Sequence, residues 1–542
     1  MIAKRGLVAA CAAVSLTLLA ACSSSDGSTK NDRGPTDLVE SLPAATKPVD
    51  LVKWALPFGE PLSLDPVRAF GESEETVVSN LCESLLRMGP DYSVNQGLAT
   101  SADWTDATTF VIDLRKGVSF WDGRPMTADD VAYSLSRNLD PKLSAYGYVY
   151  TYVDKIKKTG PFQVTITFKS HDAQFRYAMA SFGGTIMQRA FSVAAGDKLG
   201  TLSGGLMCTG PYKLDKWSPG EAITVLKNGT YWGGSPLVSK LDFRFITDSA
   251  TLTSALLAGE IDGTFNAPVG SVEAFRNSKT GSLYTGPSSM FMGFFPVTAK
   301  GPAADPRIRE ALDLSIDKKA FVRDVLRGYG EPLKTMTPPI VFEGIPGSEH
   351  LRKAYNALPD KTQDLKKAKE LVEQVKPTQK SLTFVFKAGD AMTLQAANIV
   401  QAAATKLGFD TKLKPLQPTD FDAFFFDEAL RAGVDFVLTP GWIEVPGTLY
   451  YAPTYVLPGG FFNYSGYQNA EVTRLLEESR AAVEPEKSAR LFAEAQAIFA
   501  SDRPMVMLAG QYVRTFLRND LTGVTTSSAF LSSPWAARLG GK

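Results

Sequence analysis

Along residues 110–140 the apolar positions change period once, and that change defines two elements. Phe110, Ile112 and Leu114 alternate with Val111, Asp113 and Arg115, the period of a half-buried strand. Asp122-Gly123 and Pro125 then break the chain. Thr127 is placed to cap a helix, with Asp130 three residues on to close a capping box and Asp129 beside it in the first turn. Val131, Leu135 and Leu139 follow at helical spacing. Similar reasoning predicts a packing helix over 75–88, with Val77, Leu81, Leu85 and Met88 as its stripe, and a strand over 164–168. Further on come helices over 305–316 (Ile308, Leu312, Ile316) and 361–375, then strand, helix and strand over 382–387, 393–407 and 409–416. The alternation of strand and helix predicts an α/β protein whose helices cover a partly parallel sheet.

A chain of 542 residues is too long for one core, so two or three domains are expected. Basic and acidic residues balance at 57 each, which leaves no electrostatic footprint for nucleic acid. At the N-terminus, Lys4 and Arg5 precede an uncharged, mostly apolar run to Ala21 that is short for a membrane span and reads as a secretory signal over 1–21. Leu19-Ala20-Ala21-Cys22 resembles the bacterial lipobox, which implies cleavage before Cys22, a lipid on its thiol and a polar tether over 22–48.

Enzymatic motifs are missing: the sequence has no GxSxG elbow, HExxH, P-loop or phosphate-cradling GxGxxG. The only histidines, His171 and His350, are too few for most metal centres, and neither a metal nor a cofactor is expected. With Cys11 in the signal and Cys22 lipidated, the exported chain keeps Cys82 and Cys208, which suit either one disulfide or two buried thiols.

Leu114, Arg115, Gly117, Val118, Phe120, Asp122, Gly123, Pro125, Thr127, Ala128, Asp130, Val131 and Ser134 together resemble the LRxGVxFxDGxPxTAxDVxxS signature of the family 5 extracellular solute-binding proteins, the peptide- and nickel-type receptors of ABC importers. MCTGPYKLDKW (207–217), NGTYWGG (228–234) and ALLAGEIDG (255–263) are similar to further family segments, with Cys208 where glycine is usual. The resemblance implies a two-lobed periplasmic-binding-protein-like fold (class II, cluster C type) with an extra subdomain on the N-terminal lobe. Lobe 1 is expected over 49–70, 203–294 and 505–542, the extra subdomain over 71–202, and lobe 2 over 295–504. The implied function is capture of short peptides by hinge closure and delivery to a permease in the cytoplasmic membrane, by a lipid-anchored monomer on the outer face. An oligosaccharide or other polar solute, nickel or haem, and a surface sensing role are the alternatives.

In the family's peptide binders a GWxxDxxDP segment supplies an Asp for the peptide's α-ammonium. Here Gly441-Trp442-Ile443-Glu444-Val445-Pro446 keeps the tryptophan and lacks that Asp, which makes Trp442 a pocket aromatic and Glu444 the substitute carboxylate. Tyr146 and Tyr148, in the aromatic run 145–153, suit either core and interface packing or a ligand-facing wall on the smaller lobe.

Overall fold

The computed structural model describes residues 37–445 and 447–542; the signal, Cys22 and the first part of the tether lie outside the described residues. Two large sheets organise the chain. A seven-stranded mixed sheet, lobe 1, runs in the order Tyr212–Ser218, Ala222–Lys227, Val238–Phe245, Val49–Leu56, Gly263–Thr264, Val513–Arg518 and Gly281–Gly286. A six-stranded sheet, lobe 2, runs Gly330–Glu331, Val506–Gln511, Phe291–Pro296, Phe436–Gly441, Ser381–Lys387 and Asp410–Leu416. Its last three strands are parallel, and the Ala391–Lys406 helix crosses between two of them, the βαβ unit expected from alternating periods.

The strand Thr109–Leu114 lies inside a four-stranded antiparallel sheet, the extra subdomain, with Phe110, Ile112 and Leu114 buried and their alternating neighbours half-exposed. The helix after it, Ala128–Ser136, starts on the capping box: the Thr127 side chain accepts from the Asp130 N–H while Asp130 accepts from the Thr127 N–H at 2.9 Å. The helix stops at Ser136, and a 3₁₀ turn over Arg137–Leu139 leaves Leu139 43% exposed, so Leu139 does not extend the buried stripe.

The packing helix is also shorter than the sequence suggests. It spans Glu72–Leu81, after which Glu83–Ser84 and Leu86–Met88 pair as short strands. Leu85 and Met88 are still buried, but from strand geometry. Cys82 follows the helix directly and is bridged to Cys208 across 126 residues, with Cα atoms 4.9 Å apart.

The lobes are joined by two strands lying side by side. Phe291–Pro296 pairs antiparallel with Val506–Gln511, and the Gln511 N–H donates to the Met290 carbonyl at 2.9 Å. Val506–Gln511, expected within the lobe 1 segment 505–542, therefore belongs to the lobe 2 sheet, and Phe291–Pro296 straddles the border placed at 294/295. The passages between sheets fall at 287–290 and at Tyr512. The first described residues also run along lobe 1: Val39 donates to Thr285, Leu42 to Val524, and Lys47 bridges to Gly541. Among the described residues no helix is long and apolar enough to cross a membrane.

Candidate functional site

All four candidate pocket residues gather around Glu75 where the lobes face each other, beside a helix the sequence marks only as packing. The Glu72–Leu81 helix begins at Gly71 without a side-chain cap, and its first turn carries Glu72, Glu74 and Glu75, all buried. Carboxylates there favour the positive end of the helix dipole. Val77, Val78 and Leu81 fix the helix in the lobe 1 core, which points the first turn toward lobe 2.

On the other side, Trp442 follows the strand Phe436–Gly441 directly, at the carboxyl end of a strand that is parallel to Ser381–Lys387 on one side and antiparallel to Phe291–Pro296 on the other; open α/β sheets place their ligands at such carboxyl ends. Its indole N–H donates to Glu75 Oε2 at 3.1 Å, a hydrogen bond across the lobes. Tyr146 is fully buried, and its hydroxyl shares its one hydrogen between the Ala69 carbonyl at 2.7 Å and Glu75 Oε1 at 3.2 Å. It holds Glu75 in place and presents no free face. Tyr148 is half-buried and lies against the same acids; burial and the nearby Glu444 and Glu75 carboxylates push its hydroxyl well above the usual tyrosine range.

Burial pushes the Glu444 carboxyl up to about 7, and no other described residue gives it a hydrogen bond or an ion pair. Glu75 is pushed well up by burial and next by the Glu444 charge, against the hydrogen bonds from Tyr146 and Trp442. A cation placed beside the two acids would favour their ionised forms.

The neighbouring acids are better matched. Glu72 accepts from Asn266 Nδ2 at 2.7 Å and has Arg514 close by, yet burial still raises it to about 8. Glu74 accepts from the Leu62 N–H at 2.7 Å and is raised by burial, with Asp422 adding to the rise and Lys387 opposing it. Lys387 and Asp422 lie on lobe 2 and stand 3.5 Å apart. Trp54, Phe58, Glu72, Ser73 and Phe265 line a small recess at this helix end, in which Ser73 Oγ is buried without a hydrogen-bond partner.

The lobes also meet beyond the acids. Gln174 of the extra subdomain accepts from the Thr448 and Leu449 N–H groups at 2.7 and 2.9 Å, and Asp172 pairs with Arg480 at 2.9 Å. His171 contacts the Ala107 carbonyl at 3.1 Å and lies tilted against Trp104, ring centres 4.2 Å apart, and among the described residues no group of three metal-ligating side chains occurs.

Sequence reasoning missed Glu72, Glu74 and Glu75. Three acids in the first turn of one helix are more than capping requires, and that excess was the available signal.

A profile of bacterial extracellular solute-binding proteins, family 5 Middle, matches residues 93–495. The chain belongs to this family. It is 26% identical over 474 residues to the glutathione-binding protein GsiB of Salmonella choleraesuis (strain SC-B67), covering 85% of this chain and 89% of the relative. Its fold is that of DppA from Helicobacter pylori, solved with the peptide STSA, at a TM-score of 0.79, 20% identity, and 91% and 98% coverage of the two chains. AppA from Bacillus subtilis, solved with a nonapeptide, superposes at a TM-score of 0.78 with 17% identity, covering 92% and 99%. As a family 5 solute-binding protein the chain is an extracytoplasmic receptor of an ABC importer.

Proposed function

We propose that this solute-binding protein captures short peptides between its lobes, closes over them by hinge motion and presents the closed form to its permease. The observation that carries the reading is the convergence of Trp442, Glu444 and Tyr148 with Glu75 at the lobe boundary. A peptide's α-ammonium offers the positive charge that Glu444 lacks, and the Trp442 and Tyr148 rings suit its first residues. Relatives named for glutathione, itself a tripeptide, and fold neighbours solved with peptides point the same way. The mechanism is capture without catalysis. Contacts such as Trp442 to Glu75 exist only when both lobes engage, so a ligand that bridges the lobes shifts the population toward the closed form. In this reading Cys22 carries the lipid that holds a monomer at the outer face of the membrane.

Thermal-shift screening against mixed di- to hexapeptides and an oligosaccharide panel tests the class. Stabilisation by peptides is expected; stabilisation by sugars alone overturns it. Breaking one side of an enclosed ammonium–carboxylate contact costs on the order of 2–5 kcal/mol. Glu444→Gln is therefore expected to weaken peptide binding roughly 30-fold or more, and N-acetylation of the peptide to do the same. Full affinity in that variant removes Glu444 from the contact.

A further inference from the structure

The two strands that lead into the lobe 2 side of the site stop pairing just before it. Phe291–Pro296 and Phe436–Gly441 run antiparallel, and their ladder ends at the pair Phe291 and Gly441. Two residues beyond that pair on each segment, a side chain takes the place of the ladder. Ser289 Oγ donates to the Ile443 carbonyl at 3.2 Å and accepts from the Ile443 N–H at 3.4 Å. Among the described residues these are the only hydrogen bonds to the Ile443 backbone, and both residues are buried.

Ile443 stands between Trp442 and Glu444, whereas Ser289 stands in the passage 287–290 between the lobes. Lobe 1 grips that passage from the other side. The Ser528 N–H donates to the Pro287 carbonyl at 3.1 Å, and the Ser289 N–H donates to Ser528 Oγ at 2.9 Å. Tyr92 of the extra subdomain bonds Ser528 Oγ in turn, and the two serine hydroxyls stand 3.4 Å apart. One assignment of hydrogens satisfies all of them. Tyr92 donates to Ser528, Ser528 to Ser289 and Ser289 to Ile443, while each serine also accepts one backbone N–H. Tyr92 holds a φ of 65°, a left-handed backbone uncommon for tyrosine.

We propose that Ser289 is a positioning residue for ligand capture: through Ile443 it sets where Trp442 and Glu444 stand relative to Glu75, with Ser528 and Tyr92 holding it to lobe 1. This deepens the peptide reading and rests on the same site. Buried backbone groups are costly to leave unbonded, so Ile443 follows Ser289. Under the proposed hinge closure the passage is the pivot, so the segment is registered to the axis of motion and not to the outer helices of lobe 2. A contact such as ammonium to carboxylate needs its geometry held to about 0.5 Å, which a supporting hydroxyl supplies.

Two measurements on the whole purified protein test this: calorimetric titration with Ala-Ala-Ala and N-acetyl-Ala-Ala-Ala, and amide hydrogen exchange without ligand, read by mass spectrometry. In the unaltered protein N-acetylation is expected to weaken binding roughly 30-fold or more. Ser289→Ala is expected to weaken Ala-Ala-Ala about 10-fold and to shrink the acetylation ratio to about 3-fold, because a displaced Glu444 no longer tells the peptides apart. A loss of stability alone weakens both peptides alike. Exchange is expected to quicken in fragments containing Ile443 and to stay unchanged in the Ala391–Lys406 helix. Ser528→Ala, one bond further back, is expected to move both readouts the same way by less. An acetylation ratio unchanged in Ser289→Ala, exchange unchanged at Ile443, or quickening throughout lobe 2 overturns the inference and leaves the peptide reading standing. If the unaltered protein does not bind or discriminate the two peptides, the reading of Glu444 falls, and exchange alone decides the positioning role. If neither variant folds, the hydroxyls are structural and the inference is overturned.

Discussion

Asp172 and Arg480 lie 308 residues apart in the chain and form a buried ion pair at 2.9 Å, joining the extra subdomain to lobe 2. Around them, Tyr450 donates to Asp172 at 3.1 Å, Arg480 donates to the Leu449 carbonyl, and the guanidinium stands 5.1 Å from the Tyr450 ring centre. The pair thus stitches a subdomain of one lobe to two segments of the other.

Removing one side of such a pair leaves an uncompensated enclosed charge. Asp172→Asn is expected to lower unfolding stability by about 3–5 kcal/mol, measured by urea denaturation followed by tryptophan fluorescence. Adding Arg480→Met in the same chain is expected to recover much of that loss, because the stranded charge goes too. A single-variant loss below about 1 kcal/mol contradicts the buried pair.

The Cys82–Cys208 bridge ties the end of the Glu72–Leu81 helix to the segment that returns to the seven-stranded sheet. Closing a loop with a sequence separation of 126 constrains the unfolded chain by about 4–5 kcal/mol at most. The Cys82→Ser/Cys208→Ser double variant is expected to melt lower, and thiol counting on the denatured, unreduced exported protein to find no free thiol. Two free thiols contradict the bridge.

The acids at the boundary set a pH dependence. Glu444 at about 7 and Glu72 at about 8 both lie above their ordinary value of 4.5, so the folded, closed form retains protons that the unfolded form sheds, and opening of the lobes sheds the one on Glu444. The empty closed form therefore loses stability as pH rises from 4.5 toward 8, and the loss is complete above that. Glu75 acts in the same direction; Arg514 opposes at Glu72 and Lys387 at Glu74, while Glu444 has no facing cation among the described residues. Small-angle scattering of the ligand-free protein is expected to give a larger radius of gyration at about pH 8 than at about pH 5.5. Glu75→Gln with Glu444→Gln is expected to flatten the difference. A radius independent of pH in the unaltered protein speaks against the repulsion.

Membrane attachment is expected to depend on Cys22, on the strength of the Leu19-Ala20-Ala21-Cys22 sequence. Metabolic labelling with a radioactive fatty acid should mark the unaltered protein and miss Cys22→Ala. Equal labelling of the two contradicts lipidation at this position.

How much was legible in the sequence follows the range of the interactions. The Thr127–Asp130 box could be read because both partners and the helix they start lie within four residues. The βαβ unit over 381–416 was legible for the same reason, its period switching where its elements do. Val506–Gln511 was not, since its sheet is chosen by pairing with Phe291–Pro296, more than 200 residues earlier. The end of the helix at Leu81 is also a tertiary matter: Cys82 bonds to Cys208, and Glu83 accepts from Thr209, Tyr231 and Trp232, all remote in sequence. In the site, Trp442 was legible through a motif, whereas Glu75 acquires a role only when lobe 2 brings Trp442 and Glu444 against it.

The way the chain enters and leaves the fold determines which body moves. Residues 39–47 are bonded along Thr285, Val524 and Gly541, so both ends of the described chain are fastened to the seven-stranded lobe. Anything attached before Asp37 pulls on that lobe alone. Under the hinge closure proposed above it is the stator, and the six-stranded lobe, held through the paired passages near Met290 and Gln511, is the rotor. A tether of any length then leaves the closing stroke mechanically uncoupled from the membrane, and the permease meets one face at rest and one that swings.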